Sequence, residues 1–515
     1  MKMNWIVFAL ILFFAGCTSV QTPPATDDNA DSIKANPIVQ EAIRYLRERN
    51  GQEPSVEEIA NVLNRTTVHY LEKANYAEAE RFARRALAFG RQQLGAEYRQ
   101  TLASLHNLAA LYDAQGRYGE AEPLYRRTLE TQEKVLGLEH PHTLSSLNNL
   151  AMLYQAQGRY GEAEPLYERV LETSEKVLGP EHPQTLVSLN NLAWLYEIQG
   201  RHGEAEPLFQ RALAGSEKTL GESHPDTLSR QLNFIILEIS RGNIEGALMG
   251  LRAMDGRLRR FVDAQLDTSL DEKTRRGWLG RRSNFQAVVY NLALQHPSME
   301  TRRFASDVLL GWRHLGGEGE ALDARLVATS EDPAVGQVVE ELAASRSRLS
   351  HLMNSREPDP VAIKQGQARL GKREVQLAAL SREYRGHLDA RQVTWQAVQE
   401  KLPLGAALLA LRRFLPLDFK TGKWGEAHWL GMLLPARAGA EPRLADLGAV
   451  AEISTAVARS RTKGAKAWAR QFYASLFGRW DQELAKYDSL YLVPDGALEL
   501  MPFERFILPD GRYWV

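Results

Sequence analysis

The sequence predicts a mainly α-helical protein, in which an α-solenoid of stacked repeats precedes a helical region and a smaller α/β region. Two observations lead to this fold class. A segment of 42 residues that begins at Thr101 recurs at Thr143, at Thr185 and, in degraded form, at Thr227. Self-similarity at such a period indicates a solenoid, because one unit is too small to bury its own apolar face. After residue 404 the helical pattern gives way to short apolar runs that are typical of strands.

Each repeat is predicted to form two helices joined by a glycine turn. In the second copy, Leu147, Leu150 and Tyr154 are three or four residues apart, so they form one apolar stripe along the first helix. Gly158 follows this stripe, and glycine suits the positive φ that commonly ends a helix. The equivalent glycines of the neighbouring copies are expected to end their first helices in the same way.

The domain organisation follows the repeat phase. The run from Tyr76 to Glu80 is in register with the run from Tyr118 to Glu122, so the solenoid is predicted to cover residues 36–258. Residues 259–402 carry no repeat phase and are predicted to be helical. Within them we expect an antiparallel helix pair, whose apolar residues are spaced by sevens. These residues are Val335, Leu342 and Leu349 in one helix, and Ile363, Leu370, Leu377 and Tyr384 in the other.

The repeat resembles the tetratricopeptide repeat, in the 42-residue form that occurs in kinesin light chains. In the second copy the matching positions are Leu147, Leu150, Ala151, Tyr154, Gly158, Ala163 and Tyr167. The resemblance implies an α-solenoid that binds a peptide or protein partner. It also implies that the first helix of each unit lines a concave groove.

Amide side chains recur on these first helices and are the predicted partner-binding groups. An amide both donates and accepts hydrogen bonds, which suits capture of an extended peptide backbone. A methionine and a tryptophan beside the amides provide apolar anchors. The candidate residues are Asn107, Asn148, Asn149, Asn190, Asn191, Asn233, Met152 and Trp194.

Each of these residues has a second interpretation that the sequence leaves open. The asparagines either bind the partner or form hydrogen bonds between neighbouring repeats. Trp194 either anchors an apolar side chain of the partner or packs in the core of the solenoid. The sequence pattern is the same in both cases, because a groove position and a contact between repeats recur with the same period.

The C-terminal region is predicted to contain strands as well as helices. Ala407–Phe414 and His428–Leu434 are apolar runs separated by a turn-rich stretch, which predicts a hairpin. Helical patterns follow at residues 447–461 and 465–484. Ser489–Val493 is a short apolar run that predicts a buried strand.

Residues 403–515 resemble the N-terminal part of the CHAT domain, a caspase-like domain, and the resemblance implies a parallel sheet flanked by helices. Its motifs are Tyr491 to Gly496, Leu500 to Glu504 and Pro509 to Gly511. Active members carry a Cys–His dyad, in which a thiolate stands beside an imidazole base. No such dyad is assignable here, so we expect no enzymatic activity from the 515 residues. The alternative is the front portion of a caspase-like cysteine peptidase whose catalytic His and Cys lie beyond residue 515.

The N terminus resembles a bacterial lipoprotein signal. An apolar run from Trp5 to Ala15 is too short to span a bilayer comfortably, and it precedes Cys17, the single cysteine. The resemblance implies that residues 1–17 form a signal peptide with a lipid-modified Cys17, and that residues 18–35 form a flexible tether. Thr18 implies the outer membrane of the bacterial envelope, on the periplasmic side. The alternatives are an uncleaved anchor and a chance cysteine.

Composition and motifs exclude several classes of function. The net charge is -1 and charged residues make up 25% of the chain, so a nucleic acid partner is not expected. Phosphate loops and paired cysteines are missing from the sequence, and neither a cofactor nor a metal site is expected. Histidines recur with the repeat period at His140, His182 and His224. They are interpreted as structural residues of the loops between repeats, in preference to a ladder of metal ligands.

Overall fold

The computed structural model shows a mainly helical chain with a smaller sheet-containing C-terminal region, as the sequence predicts. The described residues are 36–266, 272–312, 318–330, 332–353, 359–390, 393–451 and 478–493. The chain divides into two compact units, Met1–Ala212 and Leu213–Val515. The predicted signal and tether of residues 1–35 lie outside the described residues, as do all the CHAT motif residues after Val493.

The first unit consists of helix pairs in register with the 42-residue period, which confirms the predicted solenoid. The helices are α1 (Pro37–Asn50), α2 (Val56–Glu72), α3 (Tyr76–Gln93), α4 (Arg99–Ala114), α5 (Tyr118–Leu136), α6 (Pro141–Ala156), α7 (Tyr160–Leu178), α8 (Pro183–Ile198) and α9 (His202–Leu220), which continues into the second unit. The apolar stripe of Leu147, Leu150 and Tyr154 is buried, as its spacing requires.

Glycine turns join the two helices of each repeat. Gly116, Gly158 and Gly200 have φ values of +71°, +73° and +73°, which a residue with a Cβ atom adopts only with strain. The backbone N–H of Arg159 donates to the carbonyl oxygen of Tyr154 at 2.8 Å, closing the turn after α6. The predicted turn positions are confirmed.

The periodic histidines cap the first helices. Each imidazole Nδ1 atom accepts a hydrogen bond from the backbone N–H two residues further along the chain, which satisfies one of the free donors at a helix N-terminus. Residues His140, His182 and His224 bond in this way to His142, Gln184 and Asp226 at 3.1, 3.1 and 3.2 Å. Among the described residues no group of three or more histidine, cysteine or acidic side chains is arranged to hold a metal ion.

An arginine that directly follows each glycine turn ties successive repeats together. The guanidinium carbon of Arg159 lies 4.2 Å from the ring centre of Tyr154 in its own repeat. The same group donates to Glu162 at 2.7 Å and to Glu122 of the preceding repeat at 2.6 Å. These hydrogen bonds raise the pKa of Arg159 above its ordinary value. Equivalent arrangements surround Arg117 and Arg201.

Helices also make up the first part of the second unit. They are α10 (Pro225–Ser240), α11 (Ile244–Leu266), α12 (Glu272–Gln295), α13 (Met299–Gly311), α14 (Glu318–Thr329), α15 (Pro333–Met353), α16 (Pro360–Leu380), α17 (Arg382–Ala390) and α18 (Trp395–Gln399). Helices α15 and α16 pack against each other, and the predicted heptad positions on them are buried. Tyr384 is also buried but lies on α17, because the second predicted helix ends at Leu380. The arrangement also buries Arg346, which donates to Asp323 at 2.6 Å.

A four-stranded sheet follows these helices. Its strands are β1 (Ala406–Phe414), β4 (His428–Pro435), β5 (Arg443–Ala449) and β6 (Ser489–Val493), with a small separate ribbon of β2 (Leu417–Asp418) and β3 (Lys423–Trp424). A single-turn helix, α19 (Asp481–Leu484), precedes β6. The strand order is β5-β4-β1-β6, with β1 antiparallel to β4 and parallel to β6. The predicted hairpin is confirmed. A strand forms at Ser489–Val493 as predicted, but the prediction that it is buried is wrong: its side chains are exposed or half-buried, since β6 is an edge strand of the described sheet.

Two expectations for this region are corrected by the structure. The helix predicted over residues 447–461 starts later than expected, because residues 447–449 belong to β5 and the helical backbone begins at Val450. Backbone hydrogen bonds to β4 outweigh the local apolar spacing there, because strand pairing depends on residues distant in sequence. The sheet is mixed instead of parallel, since β4 and β5 form a meander with β1. Residues 452–477 lie outside the described residues.

Polar side chains of the preceding helices form hydrogen bonds with the backbone at the strand ends. The Asn291 amide of α12 donates to the carbonyl oxygen of Leu415 at 2.8 Å and accepts from the N–H of Leu417 at 3.0 Å. The Gln399 amide of α18 donates to the carbonyl oxygen of Pro435 at 2.8 Å. The helices and strands of the second unit are therefore joined in one packed region. The domain limits at residues 258 and 402 stay predictions.

Replacing Arg117 with methionine tests the tie between repeats. Arg117 contacts Tyr112 and donates across the repeat boundary to Glu80 at 3.0 Å. Its side chain is about one third exposed, so we expect the free energy of unfolding to fall by about 1 kcal/mol in urea melts followed by circular dichroism. Arg81→Met is the matched control, because Arg81 pairs with Glu78 within its own helix. The control is expected to cost less than about 0.5 kcal/mol, and equal losses would contradict the assignment.

Candidate partner-binding face

The first helices of successive repeats lie side by side and are linked directly by amide hydrogen bonds. In each case an asparagine bonds the residue 43 positions earlier, one repeat before it. The pairs are Asn107 with Asn64 at 3.4 Å, Asn149 with His106 at 3.2 Å, and Asn191 with Asn148 at 2.8 Å. Asn107, Asn149 and Asn191 thus have the inter-repeat contact that the second interpretation describes. Their role in binding a partner stays a prediction.

The other candidate residues occupy different environments. The Asn148 amide approaches the sulfur of Met152 at 3.4 Å within α6. Asn190 and Asn191 are each 4% exposed, whereas Asn107, Asn148 and Asn149 are half-buried. Both Met152 and Trp194 are half-buried, so neither lies wholly within the core. Asn233 is also half-buried and lies on α10 in the second unit.

Three columns of side chains run across α4, α6 and α8 and define what we call the first-helix face. On each helix the three columns are separated by four and then three residues, which places them on one side of the helix. The columns are His106, Asn148 and Asn190; Ala110, Met152 and Trp194; and Asp113, Gln155 and Glu197. Sequence reasoning missed the third column, although its 42-residue period and its place one turn beyond Met152 were signals for it.

The third column contains polar groups that differ in their contacts. Gln155 accepts a hydrogen bond from the Tyr167 hydroxyl at 3.0 Å. The Glu197 carboxylate lies 2.8 Å from the Nδ1 atom of His202. The Asp113 carboxylate has no hydrogen-bond partner among the described residues, and burial raises its pKa to about 7.

His106 takes the place of an asparagine in the first column. Its Nε2 atom faces the Asn149 amide nitrogen at 3.2 Å, and an amide N–H can only donate there. This contact suits a neutral imidazole that accepts at Nε2 and carries its proton on Nδ1. Burial lowers the pKa of His106 to about 4, and the nearby His142 lowers it further in the same direction. The ring also stands edge-on to Tyr125, with 5.6 Å between the ring centres.

The sequence models of one protein family match the repeats. Two models, both described as tetratricopeptide repeat, match residues 101–142 and 142–218. Residues 101–218 belong to the tetratricopeptide repeat family. The asparagine hydrogen bonds between first helices, the glycine turns and the arginine contacts between repeats all lie within or beside these tetratricopeptide units.

Solved tetratricopeptide structures align with part of the chain. One is the crystal structure of kinesin light chain nearly identical TPR-like repeats from Podosopora anserina, which is 31% identical, covers 38% of this chain and 93% of that chain, and has a TM-score of 0.35. BtubC (BKLC) from P. vanneervenii is 21% identical, covers 44% of this chain and 89% of that chain, and has a TM-score of 0.37. No curated protein matches the chain.

Acid sensitivity tests the neutral state of His106. Its pKa is lowered to about 4 in the folded chain, so the unfolded chain binds more protons below pH 6.5 and stability is lost as the pH falls from about 6.5 to about 4. Asparagine, which occupies the equivalent positions 64, 148 and 190, does not titrate. We expect His106→Asn to lose about 2 kcal/mol less across this window in urea melts, allowing for partial exposure of the imidazole. Parallel losses in the two proteins would refute this.

Proposed function

We propose that this protein is a protein–protein interaction scaffold whose first-helix face binds a peptide or protein partner. The observation that carries this proposal is the half-exposed pair of Met152 and Trp194 at equivalent positions of successive repeats. Large apolar side chains that are partly open to water are the residues that most often anchor a partner. The tetratricopeptide family assignment supports the same function.

The surroundings of this apolar pair suit an extended ligand. Amide groups flank it on one side and a column of polar residues flanks it on the other, and the arrangement recurs from one repeat to the next. A peptide that lies across α4, α6 and α8 therefore meets alternating apolar and hydrogen-bonding groups. Several amides already bond a neighbouring repeat, which holds them in place and reduces the entropy lost on binding.

Binding to synthetic peptides tests this face. Met152→Lys puts a charge among the apolar groups, so we expect at least about tenfold weaker capture of the labelled chain by arrays of random twelve-residue peptides. Val177→Lys is the matched control, because Val177 is 43% exposed on the second helix of the same repeat. The control is expected to bind like the wild type, and both variants are expected to melt near the wild-type temperature. Equal capture by Met152→Lys and wild type would overturn the proposal.

The proposed scaffold is tethered to the membrane of a bacterial envelope through a lipid on Cys17. The support is the sequence, in which a short apolar run and two small residues precede this cysteine. The periplasmic face of the outer membrane is the proposed location. No helix of the described ranges is long and apolar enough to cross a membrane.

Membrane fractionation tests the tether. Cys17→Ser removes the acylated sulfur, so the variant is expected to leave the membrane fraction and to lose metabolic labelling with fatty acid. Thr18→Ser is the control, since it changes the neighbouring residue and keeps the thiol. If Cys17→Ser partitions into detergent and incorporates label like the wild type, the lipid anchor is wrong.

A second candidate function concerns residues 403–515. In this proposal they are the front portion of a caspase-like cysteine peptidase, to which the repeats recruit a substrate or an activator. The supporting observation is the parallel pairing of β6 with β1, which follows a helix and a long connection, as in an α/β domain. Reading the coding sequence past codon 515 tests it: a histidine-bearing strand and a later cysteine favour the peptidase, and an immediate stop codon favours the scaffold.

A further inference from the structure

Asp113 departs from the pattern of its own column. The equivalent residues in the next two repeats are satisfied, Gln155 by the Tyr167 hydroxyl and Glu197 by His202. The Asp113 carboxylate is half-buried, and no hydrogen bond reaches it within residues 36–266 or the other described segments. Partial burial without a donor disfavours the ionised form of this carboxylate, and a cation supplied from outside favours it again.

Three tyrosines lie near this carboxylate. Tyr118 and Tyr125 of α5 and Tyr167 of α7 lie close enough for the charge of Asp113 to raise the pKa of each phenol, although burial is the larger cause in all three. Tyr125 and Tyr167 are themselves buried, which fixes their rings in place. Burial is the cause that raises the pKa of Asp113, and within the described residues no basic side chain offsets it.

A cation is the group that this setting stabilises. A guanidinium or ammonium group offers the carboxylate the missing donors, and arginine does so with two parallel N–H groups. An acidic or apolar side chain would leave the carboxylate unpaired.

We propose that Asp113 is the subsite on the first-helix face that binds an arginine or lysine side chain of the partner peptide. The inference rests on the proposed function, because it assumes that a peptide lies on this face. It adds the chemistry of the ligand: a basic residue over α4, followed by apolar residues over Met152 and Trp194 on α6 and α8. The repeats are thereby expected to bind the peptide in one chain orientation and to select its composition.

Peptide arrays with defined substitutions test this subsite. The full-length chain is applied to captured twelve-residue peptides in which each position is changed in turn to arginine, lysine, alanine or glutamate. For the wild type we expect one position where arginine or lysine binds at least tenfold better than alanine or glutamate. Asp113→Asn is expected to reduce this preference to less than twofold. An amide already stands at the equivalent position 155, so the exchange suits the fold.

The control removes the same charge elsewhere. Glu172→Gln changes an exposed carboxylate on the second helix α7, and it is expected to keep the basic preference. If Asp113→Asn keeps the preference, or if the wild type has none, the inference is overturned. A third outcome separates the two proposals. If the wild type captures peptides without a preference for a basic residue, and Met152→Lys no longer captures them, the subsite is wrong and the proposed function is supported. Capture of no peptide by any form overturns both.

The pH dependence of capture provides a second measurement that needs no variant. Only the ionised carboxylate attracts a cation, so the wild type is expected to bind the basic peptides at least tenfold more strongly at pH 8 than at pH 5.5. The facing groups, Tyr118, Tyr125 and Tyr167, have raised pKa values and stay neutral in this range. Peptides with alanine at the basic position are expected to show no such change. Equal binding of the basic peptides at both pH values would overturn the subsite.

Discussion

Contact between successive repeats is the constraint on which the solenoid depends. A 42-residue helix pair cannot bury its own apolar stripe, so each unit is stable only against its neighbours. Hydrogen bonds between neighbouring repeats fix the orientation of this apolar contact. Arg159 reaches back to Glu122, and Asn191 reaches back to Asn148, each across one repeat boundary. Because both partners recur with the same period, one repeated sequence supplies both halves of every contact.

The same contacts decide which residues of the first-helix face are available to a partner. Asparagines that recur on the first helices are partly committed to the neighbouring repeat, so they stiffen the face. The residues that differ between repeats then give the face its chemical character. Ala110, Met152 and Trp194 vary in size, and Asp113 introduces a charge where Gln155 carries none. Stacking needs the repeated positions, whereas recognition is expected from the variable ones.

The end of the repeat array shows what the ties require. In the degraded fourth copy, Glu238 and Asn243 replace the tyrosine and the arginine, and these two side chains hydrogen-bond each other. The chain then continues into helices whose polar side chains receive strand ends. Asn291 satisfies two backbone groups beside β1 and β2, and Gln399 does so beside β4. In this region, hydrogen bonds from side chains to the backbone join neighbouring elements, as contacts between repeats do in the solenoid.

The sequence by itself determined the features that depend on neighbouring residues. Gly158, the apolar stripe of each first helix and the strand Ser489–Val493 were all predicted, because turn geometry and apolar period are local properties. Tertiary structure decided the rest. Residues 447–449 became a strand through pairing with β4, and Asn149 found its partner in His106, 43 residues away. The raised pKa of Asp113 likewise depends on burial between helices, which no local pattern encodes.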